Sequence, residues 1–540
     1  MRSLAIPPVG IRSPTLKVLH KPQKPHTSFT TFSPAWGRYP WPVNRRVLPP
    51  LVFIAGATTM STEMCASRLL APFFGASILI WANIIGLILI YLSVGYFVGG
   101  RLADRHPTMR FLCWLMLAAA GCVAVLPFVA EPFLSAAVDA FAGASVGAFL
   151  GSFFAVMLLF SAPITLLGMA SPFAVRLGVT TIEGAGAVAG RMYALSTSGS
   201  IIGTFLPVAV LIPAIGTRRT MLATACLLAL AASPVLGRRY LAVPALIGAV
   251  ALVPPGAVKP GSHIIYEGES AYQFVQVQSL PGGGRVLHLN EGWADHSVYR
   301  PGQVLTGGYW DQFLLAPILH GPGFRSLSMI GYAGGTVGRA YGTYWPSVNV
   351  LGIELDPLVT DVGRRYFGLA DNPRVRVATA DGRVYLEQHH TRYDAVFLDA
   401  FRQPYIPFYL TTQEFWGLAR DRLDAGGMVM ANVGRIPNDA GLPDAIAGTM
   451  ATRFASVFEW RVSGFNDIVA GFTSPTTVAE LRTRLADAPA ALQPAAGLAQ
   501  QLRLVPASDD PLTDDRAPVE WMTDQMIVRY AADAPSAGSP

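Results

Sequence analysis

Long apolar stretches fill the first half of the chain and stop near residue 256. They cover residues 48–69, 77–99, 109–130, 146–168, 190–213, 218–236 and 240–256. Most have close to the ~20 residues that a helix needs to cross the hydrocarbon core of a bilayer. The last stretch is the shortest and contains Pro244, Pro254 and Pro255. We therefore predict a transmembrane domain over residues 47–256, with six spanning helices and a seventh stretch that either spans or is re-entrant.

Past residue 257 the apolar runs shorten to strand length, and charged residues return at ordinary density. Residues 257–305 alternate polar and apolar positions around a Pro-Gly-Gly-Gly turn, which predicts a small β-hairpin subdomain. Residues 306–475 repeat the order strand, turn, helix, which predicts a parallel sheet with helices on both faces. Residues 476–540 are a C-terminal extension whose last apolar run, 521–530, is strand-like. The fold class is thus a multi-pass α-helical membrane domain followed by an α/β Rossmann-like domain.

The net charge of +6 comes from basic residues near the start of the chain. Eight basic residues precede the first acidic residue, Glu63, and the remaining 32 basic and 34 acidic residues nearly balance. The eight lie in a segment with no apolar period, so residues 1–46 are predicted to be a basic disordered tail. Because no folded basic face is indicated, we expect no nucleic-acid binding. The tail also lacks the unbroken apolar core of a secretory signal.

A second basic cluster, Gly100-Arg-Leu-Ala-Asp-Arg105 with Arg110, lies between the second and third apolar stretches. The positive-inside rule places this loop in the cytoplasm, together with the basic tail. Six spans would then leave the domain after residue 257 in the cytoplasm, and seven would leave it outside. Because the seventh stretch is short and interrupted by prolines, we expect a multi-pass cell-membrane protein whose soluble domain is cytoplasmic.

Cysteine and histidine give no sign of a metal site. The four cysteines, Cys65, Cys113, Cys122 and Cys226, all fall in apolar stretches, where a free thiol behaves as a small hydrophobe. In the soluble half, no His and carboxylate residues have the spacing of metal ligands. We therefore expect no metal cofactor.

Glycines and acids mark the carboxyl ends of successive predicted strands in the soluble half. The strand 326–330 runs directly into Gly331 and a turn that ends at Gly335, before a helical stretch. Such a turn lets the backbone approach a ligand and points helix N–H groups at it. The next strand ends in Glu354, 20 residues after Gly334, a spacing at which a carboxylate accepts from both hydroxyls of a ribose.

The third and fourth predicted strands also end in acids. Asp381, followed by Gly382, ends one, and Asp399 ends the other. Because the carboxyl ends of parallel strands meet at one edge of a sheet, we expect these acids to converge with Glu354 on one crevice. The sequence therefore predicts a nucleoside site.

The order of these motifs resembles the spermidine synthases, the polyamine aminopropyltransferase family. The resemblance rests on the Gly-rich turn and on the runs Gly352-Ile-Glu-Leu-Asp356, Ala380-Asp-Gly382, Leu398-Asp399, Glu269-Ser-Ala-Tyr-Gln273, Leu289-Asn-Glu-Gly292 and Tyr309-Trp-Asp311. It covers about residues 262–475. The membrane half resembles the transporter-like part of fused transporter and spermidine synthase proteins. The fold implied for the soluble half is S-adenosylmethionine methyltransferase-like.

The resemblance implies a reaction and residues for it. The aminopropyl group of decarboxylated S-adenosylmethionine passes to an amine, methylthioadenosine is released, and Asp399 accepts the proton of the attacking amine. The residues implied to bind the nucleoside co-substrate are Gln273, Gly331, Gly335, Glu354, Asp381 and Gly382. Those implied to bind the other substrate are Tyr309, Asp311 and Arg402.

Three positions depart from the family pattern. Gly334 and Arg402 stand where the family has Asp residues that bind the amine, and Trp310 stands where it has His. Because a polyamine carries a positive charge at each end, these changes disfavour the usual acceptor. Arg402 either pairs with an anion on the substrate or points to solvent and leaves the amine to Asp311 and Glu291.

Two other functions are compatible with the same sequence. One is a transporter-like or sensory membrane protein whose nucleoside-binding domain is not catalytic. The other is a methyltransferase that uses intact S-adenosylmethionine, since one scaffold hosts many reactions. The β segment before residue 305 favours aminopropyl transfer over methyl transfer. The expected partners are the lipid bilayer and a small amine, and the sequence leaves a homo-oligomer open.

Overall fold

A computed structural model describes residues 47–74, 78–141, 147–253, 263–290, 294–401 and 405–533. The predicted basic tail, residues 1–46, lies outside the described residues, and so do Glu291 and Arg402.

Helices form the first half of the described chain. They are α1 Leu48–Phe74, α2 Ile78–Arg105, α3 Met109–Phe141, α4 Gly147–Gly168, α5 Ala170–Gly178, α6 Ala185–Leu206, α7 Ile212–Leu236 and α8 Ala242–Leu252. A π-helical turn, Pro207–Leu211, joins α6 to α7, and a 3₁₀ turn, Arg238–Leu241, joins α7 to α8. Inside α7, Gly216 has φ +81°, which glycine adopts without a Cβ penalty. The chain bends there, and Thr217 begins a new helical segment.

Four helical segments in the described ranges are long and apolar enough to cross a membrane: Leu79–Arg105, Met109–Ala137, Leu150–Gly178 and Ala185–Leu236. The last is 52 residues long and contains the predicted fifth and sixth stretches, which separate at Gly216. Helix α1, the first predicted span, is not among the four, and it carries Glu63 and Arg68. The expected total of six spans stays a prediction.

The soluble half begins with a four-stranded antiparallel sheet. Its strands, in spatial order, are β1 Ile264–Glu269, β2 Phe274–Leu280, β3 Gly284–Leu289 and β4 Ser297–Tyr299. Val275, Val277 and Leu287 are fully buried in one apolar cluster with Phe367 of the larger domain that follows. The small sheet is therefore fixed against that domain by an apolar face.

The larger domain has an eight-stranded sheet with the spatial order β12-β10-β11-β9-β8-β5-β6-β7. Its strands are β5 Ser326–Ile330, β6 Asn349–Glu354, β7 Val375–Thr379, β8 Tyr393–Leu398, β9 Leu423–Gly434, β10 Ser456–Arg461, β11 Asn466–Phe472 and β12 Arg503–Leu504. Strands β5 to β9 pair in parallel, as predicted, whereas β11 is antiparallel to β9 and β10. The sheet is mixed because the short link between β10 and β11 allows only a hairpin.

Helices cover both faces of this sheet, and each face buries its own apolar cluster. They are α9 Ala316–His320, α10 Thr336–Tyr344, α11 Pro357–Tyr366, α12 Gly382–Gln388, α13 Gln413–Asp421, α14 Gly441–Met450, α15 Val478–Ala486, α16 Gln493–Ala499 and α17 Val519–Asp533. The strand predicted at 521–530 is wrong, because this segment lies in α17. Val519, Thr523 and Met526 are buried, at a helical spacing that places them on one face.

The soluble half meets the helical bundle at one end. At the break in α7, the Thr217 backbone N–H donates to Glu269 Oε2 at 2.9 Å, and the Arg68 guanidinium in α1 donates to the Ala271 carbonyl. Helix α2 starts at Ile78, directly after this end of α1, and its 28 residues extend about 40 Å. The last turn of α2 therefore lies at the opposite end of the bundle.

Basic residues gather at that opposite end. Asp104 Oδ1 pairs with Arg176 Nε at 3.0 Å, and the Trp114 ring lies 4.9 Å from the Tyr240 ring, in the turn that carries Arg238. The length of α2 thus separates these arginines from the soluble half. The side of a membrane on which the basic loop and the domain after residue 257 lie stays a prediction.

Candidate functional site

A cavity of ≈ 440 Å³ lies at the carboxyl ends of β5, β6 and β8. It is lined by most of the residues that the sequence selected: Gln273 from the turn between β1 and β2, and Gly331, Glu354, Asp381, Gly382 and Asp399 from the edge of the parallel strands. The convergence follows from the topology, since every parallel strand ends at the same edge.

Gly331 lets two strand ends approach each other. It has φ +80°, and an added Cβ would overlap the Asp399 carbonyl and the Ala400 backbone. Gly335 also has a positive φ, +88°, and caps the N-terminus of α10, but it faces Leu369 and is not among the described residues that line the cavity. Gly331 thus shapes the cavity, and Gly335 shapes the turn.

Glu354 is held by backbone donors on both oxygens. The Ala333 N–H donates to Oε2 at 2.8 Å, and the Asp356 N–H donates to Oε1 at 3.1 Å. Burial raises the pKa of Glu354, although both hydrogen bonds oppose the rise. A buried carboxylate fixed in this way is a rigid acceptor for the hydroxyl groups of a ligand.

Asp381 is the N-cap of α12. Its Oδ1 accepts the N–H groups of Arg383 and Val384, at 2.9 and 3.1 Å, and its Oδ2 accepts the Tyr409 hydroxyl at 2.7 Å. Gly382 follows it, and a Cβ there would overlap Ile330. The hydrogen bonds of the Asp381 carboxylate therefore go to α12 and to Tyr409, at the wall of the cavity.

Asp399 combines burial with side-chain donors. The Asn432 amide donates to Oδ1 at 2.9 Å, and Asn466 donates to the Asn432 carbonyl oxygen at 3.0 Å. Burial raises the pKa of Asp399 to about 8, opposed by the hydrogen bonds from Asn432 and Tyr309. A carboxyl group with this pKa changes its protonation state near neutral pH, which suits a general base.

Tyr309 and Asp311 have different surroundings. The hydroxyl of the partly buried Tyr309 is hydrogen-bonded to Asp399, and desolvation together with that charge raises the pKa of Tyr309 well above its usual value. The Asp311 carboxylate instead accepts the backbone N–H groups of Thr306 and Gly307, at 3.0 and 2.8 Å. It stabilises that loop and is not among the described cavity residues.

Position 334 is tightly packed, so the acid that the family carries there would require its neighbours to shift. A Cβ on Gly334 would lie 3.0 Å from the Ser297 side chain and 3.2 Å from Phe367, and the Ser297 hydroxyl already accepts the Gly334 N–H at 2.8 Å. The second departure, Arg402, lies outside the described residues.

Further residues line the cavity: Tyr405, Phe408 and Tyr409 from the loop after β8, and Glu520 from α17. The Pro- and aromatic-rich sequence of residues 400–410 is compatible with either a pocket wall or a rigid turn, and these three rings lie at the pocket. Glu520 lies over 100 residues from the nearest motif and carries no local signal. Asn432 was missed because a buried amide inside a strand has no motif.

No group of three His, Cys, Asp or Glu side chains in the described ranges could hold a metal ion.

Comparisons with known proteins agree with the motifs. No family model matches the chain. It is 32% identical over 220 residues to a probable polyamine aminopropyl transferase of Bifidobacterium longum, covering 39% of this chain and 48% of the relative. It is 30% identical over 186 residues to a polyamine aminopropyltransferase of Vibrio vulnificus, covering 33% and 61%. The chain thus spans less than two thirds of these relatives.

Among solved structures, the spermidine synthase of Thermotoga maritima is 20% identical, with a TM-score of 0.34, over 40% of this chain and 74% of that one. The sequence relatives identify the C-terminal part of this chain as similar to the polyamine aminopropyltransferase, or spermidine synthase, family. The resemblance predicted for this part is confirmed.

Proposed function

We propose that this protein is a membrane-anchored transferase that moves an aminopropyl group from decarboxylated S-adenosylmethionine to a small amine. The observation that carries the proposal is Asp399, a partly buried carboxyl group with a pKa of about 8 in the cavity that also contains Glu354. The polyamine aminopropyltransferases to which the C-terminal part is similar support the reaction class.

The proposed chemistry needs only binding, orientation and one proton transfer. The lone pair of a neutral amine forms a C–N bond to the aminopropyl carbon next to the sulfonium, and the C–S bond breaks. Methylthioadenosine leaves as a neutral sulfide, and the ammonium product gives a proton to Asp399. Glu354 holds the ribose, so positioning supplies a large share of the rate.

Glu520 is the carboxylate that we propose for the distal ammonium of the acceptor. Position 334 is a glycine packed against Ser297, so the family's acid is absent there. Glu520 lines the same cavity from α17 and supplies a negative charge from another part of the chain. The proposed substrate is therefore a small diamine or polyamine.

Product analysis by mass spectrometry tests the reaction. Purified full-length protein receives a mixture of polyamines with either decarboxylated or intact S-adenosylmethionine, beside Asp399→Asn and the exposed control Asp424→Asn. We expect methylthioadenosine from wild type and control, and at least about a hundredfold less from Asp399→Asn. S-adenosylhomocysteine from the intact donor would indicate methyl transfer instead, and no product with retained ligand binding would refute the enzyme.

A second candidate function is favoured by the placement of the arginines. Arg101, Arg105, Arg176 and Arg238 lie across the bundle from the soluble half, whereas Arg68, Arg218 and Arg219 lie at the end next to it. Applied to the larger group, the positive-inside rule assigns the far end to the cytoplasm. The soluble half would then face outward, where a sensor of extracellular nucleosides is the better proposal, because the donor of the transferase reaction is cytosolic.

Reporter fusions decide between the two candidates. Alkaline phosphatase and a fluorescent protein are fused after residue 261 and, separately, after residue 107. The fusion after residue 107 reports the side of the basic loop, so the two sites together test whether the loop and the domain after residue 257 lie on the same side of the membrane. Fluorescence at 261 supports the transferase with a cytoplasmic soluble domain, and phosphatase activity at 261 supports the sensor.

A further inference from the structure

The turn between β1 and β2 forms part of the cavity wall. Its shape is set by Ser270, whose hydroxyl accepts the N–H groups of Tyr272 and Gln273, both at 3.0 Å. Tyr272 and Gln273 line the cavity. A displacement of this turn therefore changes the wall on which a ligand rests.

The same turn is linked through Asp356 to Glu354, the carboxylate proposed to hold the nucleoside. The buried Ser270 hydroxyl donates to Asp356 Oδ2 at 2.6 Å, and the Asp356 N–H donates to Glu354 Oε1 at 3.1 Å. Asp356 is fully buried and also caps α11 through the Leu358 N–H, at 2.9 Å. Because Ser270, Asp356 and Glu354 are buried, water does not replace the hydrogen bonds between them. A displacement of Ser270 therefore moves Asp356, and with it Glu354.

On its other side, the turn is bonded to the helical bundle. Glu269 accepts two hydrogen bonds from Thr217: the N–H to Oε2 at 2.9 Å and the hydroxyl to Oε1 at 2.7 Å. The Thr217 N–H is available because the break at Gly216 leaves it at the start of a helical segment, without a carbonyl partner one turn earlier. Arg68 of α1 holds the adjacent Ala271 carbonyl.

We propose that helix α7 positions the nucleoside site through the path Thr217, Glu269, Ser270, Asp356 and Glu354, so that nucleoside affinity depends on the helical bundle. Glu269 and Ser270 are then positioning residues, which act on the ligand through Glu354. This inference rests on the proposed nucleoside site but not on turnover, and it applies equally to a transferase and to a sensor.

A matched pair of substitutions in α7 tests the path. Thr217→Val removes the hydroxyl donor to Glu269, and Thr224→Val makes the same change at a hydroxyl bonded only within α7. The dissociation constant for methylthioadenosine is measured by calorimetry on full-length protein in nanodiscs. We expect Thr217→Val to weaken binding about twofold to thirtyfold, the range for a residue that couples two sites, and Thr224→Val to match wild type.

Partial rescue at Glu269 separates positioning from simple destabilisation. Glu269→Gln keeps one acceptor oxygen for Thr217, whereas Glu269→Ala keeps none. We expect an intermediate affinity for Gln and the weakest for Ala, at melting temperatures close to wild type. The double variant Thr217→Val with Glu269→Ala should bind methylthioadenosine no more weakly than Glu269→Ala alone, because both substitutions break the same contact between Thr217 and Glu269.

Hydrogen exchange on the unmodified protein gives a test that does not depend on any variant. Coupling is reciprocal, so bound methylthioadenosine should slow exchange at the Thr217 amide. Unchanged exchange there, or equal affinities for Thr217→Val and wild type, would overturn the inference. If wild type binds no nucleoside at all, the proposed site itself fails, which is a different result.

Discussion

The two ends of the cavity hold their carboxylates in different ways. Both oxygens of Glu354 accept backbone N–H groups, whereas Asp399 is bonded by the side chains of Asn432 and Tyr309. Backbone donors neither rotate nor titrate, so Glu354 is a fixed acceptor. The donors to Asp399 are side chains, which rotate about their own bonds, and the pKa of Asp399 lies near neutral pH. One end of the cavity is thus suited to binding and the other to proton transfer.

The largest expected effect is at the proton-transfer end. Asp399→Asn keeps the shape of the side chain but removes the base, so kcat should fall by about 10² to 10⁴. The dissociation constant for methylthioadenosine should change little, because Glu354 is untouched. Steady-state kinetics and calorimetry check the two halves of this prediction, with Asp424→Asn as control. Equal losses of binding and turnover would remove the contrast between the two ends.

A large effect on binding is expected at the other end. Glu354→Gln places an amide donor against a backbone N–H, so methylthioadenosine should bind about tenfold to a hundredfold more weakly. The exposed Glu480→Gln is the matched control on α15. Calorimetry on the two variants measures the effect, and a Glu354→Gln protein with wild-type affinity would show that this carboxylate does not hold the nucleoside.

The pH profile of kcat/KM should report Asp399. The base must be ionised, so kcat/KM, expressed for the neutral form of the amine, should fall about tenfold per pH unit below the Asp399 pKa of about 8. Tyr309→Phe removes a hydrogen bond that lowers this pKa, so the midpoint should move to higher pH. At neutral pH the variant should therefore be slower by about threefold. A midpoint that stays in place would exclude Tyr309 as a partner of the reacting group.

The smallest effect is expected at Glu520. Because this side chain is partly exposed, Glu520→Gln should raise KM for the amine only about twofold to fivefold, with KM for the nucleoside unchanged. Kinetics with a diamine and with a monoamine of similar length sharpen the test. A rise that is equal for both acceptors would argue against a contact with the distal ammonium.

The sequence predicted the two-part architecture because its signals are local. Span length separates the helical half from the soluble half, and strand-end acids such as Glu354 and Asp399 identify the binding edge of a parallel sheet. The strand predicted at 521–530 is wrong for a related reason. A short apolar run does not distinguish a strand from a helix until the face that is buried, here Val519 and Met526, is known.

By itself, then, the sequence determined the apolar spans, the parallel strands and the acids at their ends. Only the tertiary structure decided that Asn432 and Tyr309 surround Asp399 and that Glu520 reaches the cavity. The physical reason is distance along the chain. These contacts join segments separated by 33 residues or more, and their formation depends on the packing of the whole fold rather than on any local pattern.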